Sequence, residues 1–139
     1  MTEDNRRQNI ATELARGKEA LESAEILLAA GKNADAVSRA YYAAFHHACA
    51  LLLMVGEQAR RHSGVERLLQ RDLVRTGKLD PGVARSFAHL MKDRHDADYG
   101  AEVVFTSELG GKQVESARTF CQHACAILER EGWIAPQGA

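Results

Sequence analysis

Apolar residues recur along this chain at steps of three and four rather than two, the period of helices that bury one face. Ile10, Leu14, Leu21, Ala24 and Leu28 lie on one stripe that passes through Gly17, which predicts a first long helix over Ile10 to Leu28. Ala29-Ala30-Gly31-Lys32-Asn33 ends it, with Gly31 as C-terminal cap and Asn33 as N-cap of the next helix. That second helix, about Ala34 to Val55, is apolar nearly all round. Val37, Tyr41, Ala44, Ala48, Leu51 and Val55 form one stripe, and Tyr42, Cys49 and Leu53 extend it toward the opposite side. Such a helix belongs at the centre of a bundle, covered on both faces.

Gly56 closes it, and Ser63-Gly64-Val65-Glu66 reads as a capping box opening a third helix, with Val65, Leu68, Leu69 and Leu73 inward and Gly77 as its stop. Asp80-Pro81 is an N-cap followed by proline, the start of a fourth helix whose inward positions are Val83, Phe87, Leu90 and Met91. Continued by helical geometry, that stripe reaches Arg94, Ala97 and Asp98, so charge arrives on a face that was apolar a turn earlier. Gly100 caps this helix, and a looser segment runs from Gly100 to Gly111. A final helix spans about Lys112 to Glu131, with Val114, Ala117, Cys121, Ala124 and Leu128 on one side. Trp133 and a tail, Pro136-Gln137-Gly138-Ala139, follow. Short links join neighbours that reverse direction. The expected fold is therefore all-α, an up-and-down antiparallel bundle of four to five helices. It forms one domain over residues 1–139, with its core at about 5–133.

Composition narrows the function classes. With 139 residues, 45% hydrophobic and 27% charged, the chain has the balance of one globular domain and is too apolar to be disordered. Ala and Leu dominate and β-branched residues are scattered, which leaves little from which to build a sheet. The longest apolar run, Ala48 to Val55, is far short of the ~18 residues of a membrane helix. Met1-Thr2-Glu3-Asp4-Asn5 lacks the regions of a signal peptide. The expectation is a cytoplasmic protein without membrane contact. Cys49, Cys121 and Cys125 are odd in number, which fits reduced thiols better than a disulfide framework. Cys121 and Cys125 share a helix face with His123 nearby, yet zinc takes four placed ligands and no second pair exists. No metal and no cofactor is expected, and the cysteines read as small buried apolar groups.

Eighteen Lys and Arg against 19 Asp and Glu give a net charge of -1, which removes a global positive field but not a local patch. Between residues 60 and 78, Arg60, Arg61, Arg67, Arg71, Arg75 and Lys78 face only Glu66 and Asp72. Arg67, Arg71 and Arg75 form a ridge opposite the leucine stripe. Such a ridge is usually a solvated face; its functional reading is a surface that tracks phosphates. Two further clusters interrupt inward faces. In Ser38 through His47, Arg39 and His46 are seven apart, on one stripe about 10 Å along the axis, with Tyr42 beside them, so they address one groove. In Arg94-His95-Asp96-Ala97-Asp98-Tyr99, Arg94 and Asp98 are four apart and pair. Arginine suits bidentate phosphate contact, and histidine moves protons near neutral pH. The same residues equally describe a buried Arg–Asp network that only fixes packing, and the sequence leaves both readings open.

Ser38-Arg39-Ala40-Tyr41-Tyr42-Ala43-Ala44-Phe45-His46, then His62-Ser63-Gly64, then Arg94 through Asp98-Tyr99 resemble the small prokaryotic HEPN domains in order and spacing. The branch is the one marked by an SRxYYAxFH-like helix and a later RxxADY, and the resemblance spans about residues 5–130. It implies an all-helical bundle, frequent homodimers and work near RNA or nucleotides. It also implies, in many members, pairing with a minimal nucleotidyltransferase in a toxin–antitoxin or defence system. Active members cleave RNA without a metal, using an Arg followed four to six residues later by His. In this chain the count from Arg94 arrives at Tyr99, His95 is adjacent and about 100° around the helix, and Arg39 with His46 matches the spacing in the second helix instead. The expected role is an RNA- or nucleotide-associated binding and assembly module working through Arg39, Tyr42, His46, Arg94, Asp98 and Tyr99, with Arg67, Arg71 and Arg75 as further contacts. One alternative is an endoribonuclease toxin with Arg94 or Arg39 on the phosphate and His46 or His95 as acid/base. The other is a purely structural interaction domain.

Overall fold

The computed structural model describes residues 1–59, 61–100 and 104–136. Arg60 of the basic run, residues 101–103 of the Gly100–Gly111 segment and residues 137–139 of the tail lie outside the described residues. Helix α1 is Glu3–Ala29, α2 is Asn33–Met54, α3 is His62–Leu69 with a π-helical turn Gln70–Val74 after it, α4 is Pro81–Tyr99 and α5 is Ser107–Arg130. No strand occurs among the described residues.

The helix starts differ from the sequence expectation, each for a local reason. Helix α1 begins two turns before its apolar stripe because Thr2 caps it, its Oγ1 accepting from the Asn5 N–H at 3.1 Å, with Glu3 and Asp4 in the first turn. Helix α5 begins at Ser107 rather than Lys112 because Thr106 Oγ1 accepts from the Leu109 N–H at 3.1 Å. Asn33 is not an N-cap: it is the first residue of α2, and its Nδ2 donates to the Phe105 carbonyl at 3.0 Å, tying the head of α2 to the entry of α5. Ser63 and Glu66 form no capping box, since α3 starts at His62 with Arg61 in the cap position and no side-chain cap bond. The turn at Gly31 matches expectation. Its φ of +78° and the Lys32 N–H to Leu27 carbonyl bond of 2.8 Å close a left-handed turn that glycine adopts without strain.

Helices α1 and α2 reverse through that turn, so Glu13 meets His46 and Gly17 meets His47. Residues Phe87 of α4 and Phe120 of α5 pack at 5.4 Å, again an antiparallel pair, and α2 lies at the centre against α1, α4 and α5. The result is the expected up-and-down bundle, with α3 and its π turn as a short bridging element. One expected face is corrected: Leu14, Leu21 and Leu28 of α1 are only half-buried, while Ile10, Gly17, Ala20 and Ala24 are buried. The reason is close approach. Helix α2 turns Ala36, Ala40, Ala43, Ala44 and Ala48 to its neighbours, and between such small residues the backbones sit nearer than leucines would allow. The third helix is also not uniformly α. Its π turn keeps Leu73 fully buried, and the i,i+4 spacing of Leu69 and Leu73 suits either geometry. No described helix is long and apolar enough to cross a membrane.

Candidate functional site

Three elements meet where the apolar faces give way to charge. Helix α2 presents Arg39, Tyr42 and His46 at i, i+3 and i+7, with Tyr41 turned inward and fully buried. Helix α4 contributes Arg94 and Asp98, and the first residue of α3 is His62. The Arg94 guanidinium carbon lies 5.1 Å from the centre of the Tyr41 ring and 5.5 Å from that of Tyr42, and that of Arg39 lies 4.6 Å from Tyr42. Tyr42 thus has two cations within cation–π range. The expected group Arg39, Tyr42, Arg94 and Asp98 is brought together.

Arg94 is incompletely satisfied. Its side chain is 15% exposed, its Nη1 stands 3.5 Å from Asp98 Oδ2, and its Nε is buried without a hydrogen-bond partner. An arginine offers five donors in a planar fork, and a buried donor left unpaired costs roughly 1–3 kcal/mol. The Tyr41 hydroxyl also interacts with this guanidinium, and the unpaired Nε is closed to solvent, so the partly exposed outer nitrogens are the ones open to a ligand.

His62 joins the site too; the sequence marks it only within the His62-Ser63-Gly64 motif and gives it no role. Its ring lies 4.1 Å from that of Phe45 and only 4° from parallel, while Tyr42 meets it edge-on at 5.7 Å. Its Nδ1 is 3.1 Å from the Tyr41 hydroxyl. Burial, then the nearby Arg94 charge, then His46 lower its pKa below the ordinary 6.5. Burial is also the main cause that raises the Tyr41 hydroxyl above its ordinary value, against an opposing pull from Arg94, so that hydroxyl stays protonated.

The other expected residues lie apart from this cluster. His46 turns toward α1, its Nδ1 2.7 Å from Glu13 Oε2, and with Arg39 it lines a surface hollow of about 280 Å³ beside Arg16 and Ser23. His95 leans on the ring of Tyr99 at 5.1 Å, and Tyr99 is 70% exposed. Of the ridge, Arg67 and Arg71 line a hollow of about 480 Å³ with Arg61 and Ser63, whereas Arg75 is exposed outside it. Arg71 is engaged by Asp72 and by Glu57, each at 2.9 Å. Among the described residues no three His, Cys, Asp or Glu side chains gather as a metal would require. Cys121 is buried, and Cys49 and Cys125 are half-buried. Burial pushes the Cys49 and Cys121 thiols up to about 12 and raises that of Cys125.

An up-and-down bundle of four long helices bridged by a short one, with arginines and tyrosines where α2 faces α4, defines a class of small helical domains. This chain belongs to the HEPN domain family, whose pattern matches residues 12–130. It is 37% identical over 114 residues to a UPF0332 protein of Thermotoga maritima, covering 82% of this chain and 86% of that one. It is 34% identical over 93 residues to the Methanocaldococcus jannaschii protein named "Putative toxin MJ0605", covering 67% of this chain and 69% of that one. Among solved structures, TT1696 from Thermus thermophilus shares the fold with a TM-score of 0.75 at 21% identity, over 86% of this chain and 98% of that chain.

Proposed function

We propose that this HEPN protein is of the toxin type and that its groove between α2 and α4 binds RNA through the phosphate backbone. One observation carries the reading: Arg94, mostly buried between two tyrosine rings, keeps an unpaired Nε and only a 3.5 Å contact to its acid. A phosphate oxygen meets the outer guanidinium nitrogens of this 15% exposed side chain, and Tyr42, flanked by Arg39, offers a ring on which a base stacks. A net charge of -1 gives no general pull on polyanions, so binding depends on this local geometry. Likeness to proteins named "Putative toxin" supports the toxin-like role; with it we propose a minimal nucleotidyltransferase as partner, a homodimer as working unit and a cytoplasmic setting.

Fluorescence anisotropy with a short labelled single-stranded RNA tests this. Arg94→Ala, checked by circular dichroism for folding, is expected to weaken binding about tenfold or more, the ~1.4 kcal/mol or more of a lost charge-assisted contact. Binding of the folded variant at wild-type affinity overturns the reading. RNA cleavage through the same groove is the second reading, and Arg94 favours it because phosphoryl transfer needs a cation where charge builds up. His46 and His95, the expected proton carriers, are turned toward Glu13 and Tyr99 instead.

A further inference from the structure

Each of the six histidines has a defined setting. His47 is buried with Nδ1 on the Ala43 carbonyl at 2.8 Å. His46 is bonded to Glu13, and His95 is exposed, its ring leaning on that of Tyr99 and outside the Tyr41 ring cluster. His89 and His123 are exposed on other faces. His62 remains, and it joins the cluster that contains Arg94: the Tyr41 ring lies under the Arg94 guanidinium and its hydroxyl meets His62 Nδ1.

We infer that His62 is the proton-transfer residue of this groove, with Tyr41 as the positioning residue that fixes its ring, acting on an RNA phosphodiester held by Arg94. The inference rests on the RNA-binding reading above and deepens it. Three features support the role. Stacking on Phe45 at 4.1 Å and the Tyr41 bond at Nδ1 leave the imidazole one orientation, which is the preorganisation proton transfer requires. The second nitrogen, Nε2, bonds no protein group among the described residues, and the residue is half-exposed, so a substrate reaches it. Its lowered pKa keeps the ring neutral, hence basic, at neutral pH. The charged and titratable groups facing His62 are Tyr41, Tyr42 and His46 from α2, Arg94 from α4 and Arg61 from its own segment.

The step balances without a co-reactant. The ribose 2′-oxygen forms a bond to phosphorus as the bond from phosphorus to the 5′-oxygen breaks. The proton leaves the 2′-oxygen for His62 Nε2 and passes from there to the departing 5′-oxygen. The products are a 2′,3′-cyclic phosphate and a 5′-hydroxyl end. Arg94 carries the extra negative charge on the non-bridging oxygens. The Tyr41 hydroxyl accepts from the Nδ1–H both when Nε2 is free to take the proton and when the ring is the imidazolium, and so holds the tautomer that the step needs.

The test incubates the purified chain with a mixed-sequence single-stranded RNA in EDTA, identifies ends by mass spectrometry and measures RNA affinity separately by anisotropy. Wild type is expected to give cyclic-phosphate ends. His62→Ala is expected to lower the rate by about 10²–10⁴-fold while affinity stays within about twofold, and added imidazole to restore part of the rate. His62→Gln, which keeps a polar group for Tyr41, carries the same test if His62→Ala does not fold. Tyr41→Phe is expected to slow cleavage and move the pH–rate limb belonging to His62, which a packing role alone does not do. His123→Ala is expected to cleave like wild type. Folded His62 variants that cleave at the wild-type rate overturn the inference, as does a wild type that binds RNA and leaves it intact. A wild type that does not bind RNA at all instead overturns the binding reading on which it rests.

Discussion

A Cβ placed on Gly17 falls 2.3 Å from Nδ1 of His47 and 3.1 Å from the carbonyl oxygen of Ala43. Replacing glycine by alanine inside a helix ordinarily stabilises by roughly 1 kcal/mol. Here the sign reverses, because the His47 ring is buried and held by its bond to Ala43, so α1 and α2 must part. Gly17→Ala is expected to destabilise by about 1–3 kcal/mol in urea titration. In a His47→Ala background the imidazole clash is gone and only the 3.1 Å approach to the Ala43 carbonyl remains, so Gly17→Ala is expected to cost much less there than in wild type. A Gly17→Ala protein as stable as wild type would show that the two helices are not in tight contact.

Burial of the same imidazole makes the bundle sensitive to acid. Burial is the largest cause lowering the His47 pKa below 6.5, outweighing the Ala43 bond that raises it, with His46 adding to the fall. Below about pH 6.5 the unfolded chain takes up a proton that the folded chain resists, so stability is full above that pH and is lost as pH falls beneath it. His62 shifts in the same direction, so the contribution of His47 is read as a difference. Between about pH 7.5 and about pH 5.5 the melting temperature of wild type is expected to drop more than that of His47→Gln. Equal drops would assign the acid sensitivity elsewhere.

Much of this architecture is legible in the sequence, for physical reasons that also mark where legibility ends. A three-and-four spacing reports that a helix exists and that α2 is buried all round. It does not report which face of α1 is closest to α2, because hydrophobicity weights Leu14 and Leu21 above Gly17 and Ala20, whereas close packing weights size the other way. Exposed first turns carry no apolar signal, so α1 and α5 start earlier than their stripes; Thr2 and Thr106 were the available markers. Arg39, Tyr42, Arg94 and Asp98 converge as helical geometry dictates, since each pair shares a helix and both stripes face inward. His62 belongs to no stripe. Its place beside Tyr41 depends on where α3 crosses α2, which is tertiary information, and its one local sign is the His62-Ser63-Gly64 motif.

The three thiols are chemically quiet in the folded chain. Burial holds Cys49 and Cys121 at about 12 and raises Cys125, so the thiolate that reacts with alkylating agents is scarce at neutral pH. Iodoacetamide at about pH 8 is expected to modify the native protein far more slowly than a free cysteine with a pKa of ~8.5, and all three sites rapidly after denaturation. Fast native labelling of Cys121, read by mass spectrometry, would show that the α1–α5 groove lined by Leu21, Cys121 and Cys125 opens readily.

The arginine ridge divides into residues with different electrostatic roles. Arg71 is engaged by Asp72 and Glu57, and the Asp72 carboxyl lies below its usual range chiefly because Arg71 bonds it. Arg67 makes no side-chain hydrogen bond among the described residues and lines the hollow beside Arg61 and Ser63, one turn from His62. Arg75 lies beyond the π turn, outside that hollow. An RNA seated against Arg94 and extending over α3 therefore meets Arg67 before Arg75. Arg67→Ala is expected to weaken RNA binding about equally for all sequences and to reduce the slope of log affinity against log salt by about 1, the release of one counterion contact. Arg75→Ala is expected to change neither. A salt slope that Arg67→Ala leaves unmoved would make the ridge a solvated face and confine RNA contact to the groove between α2 and α4.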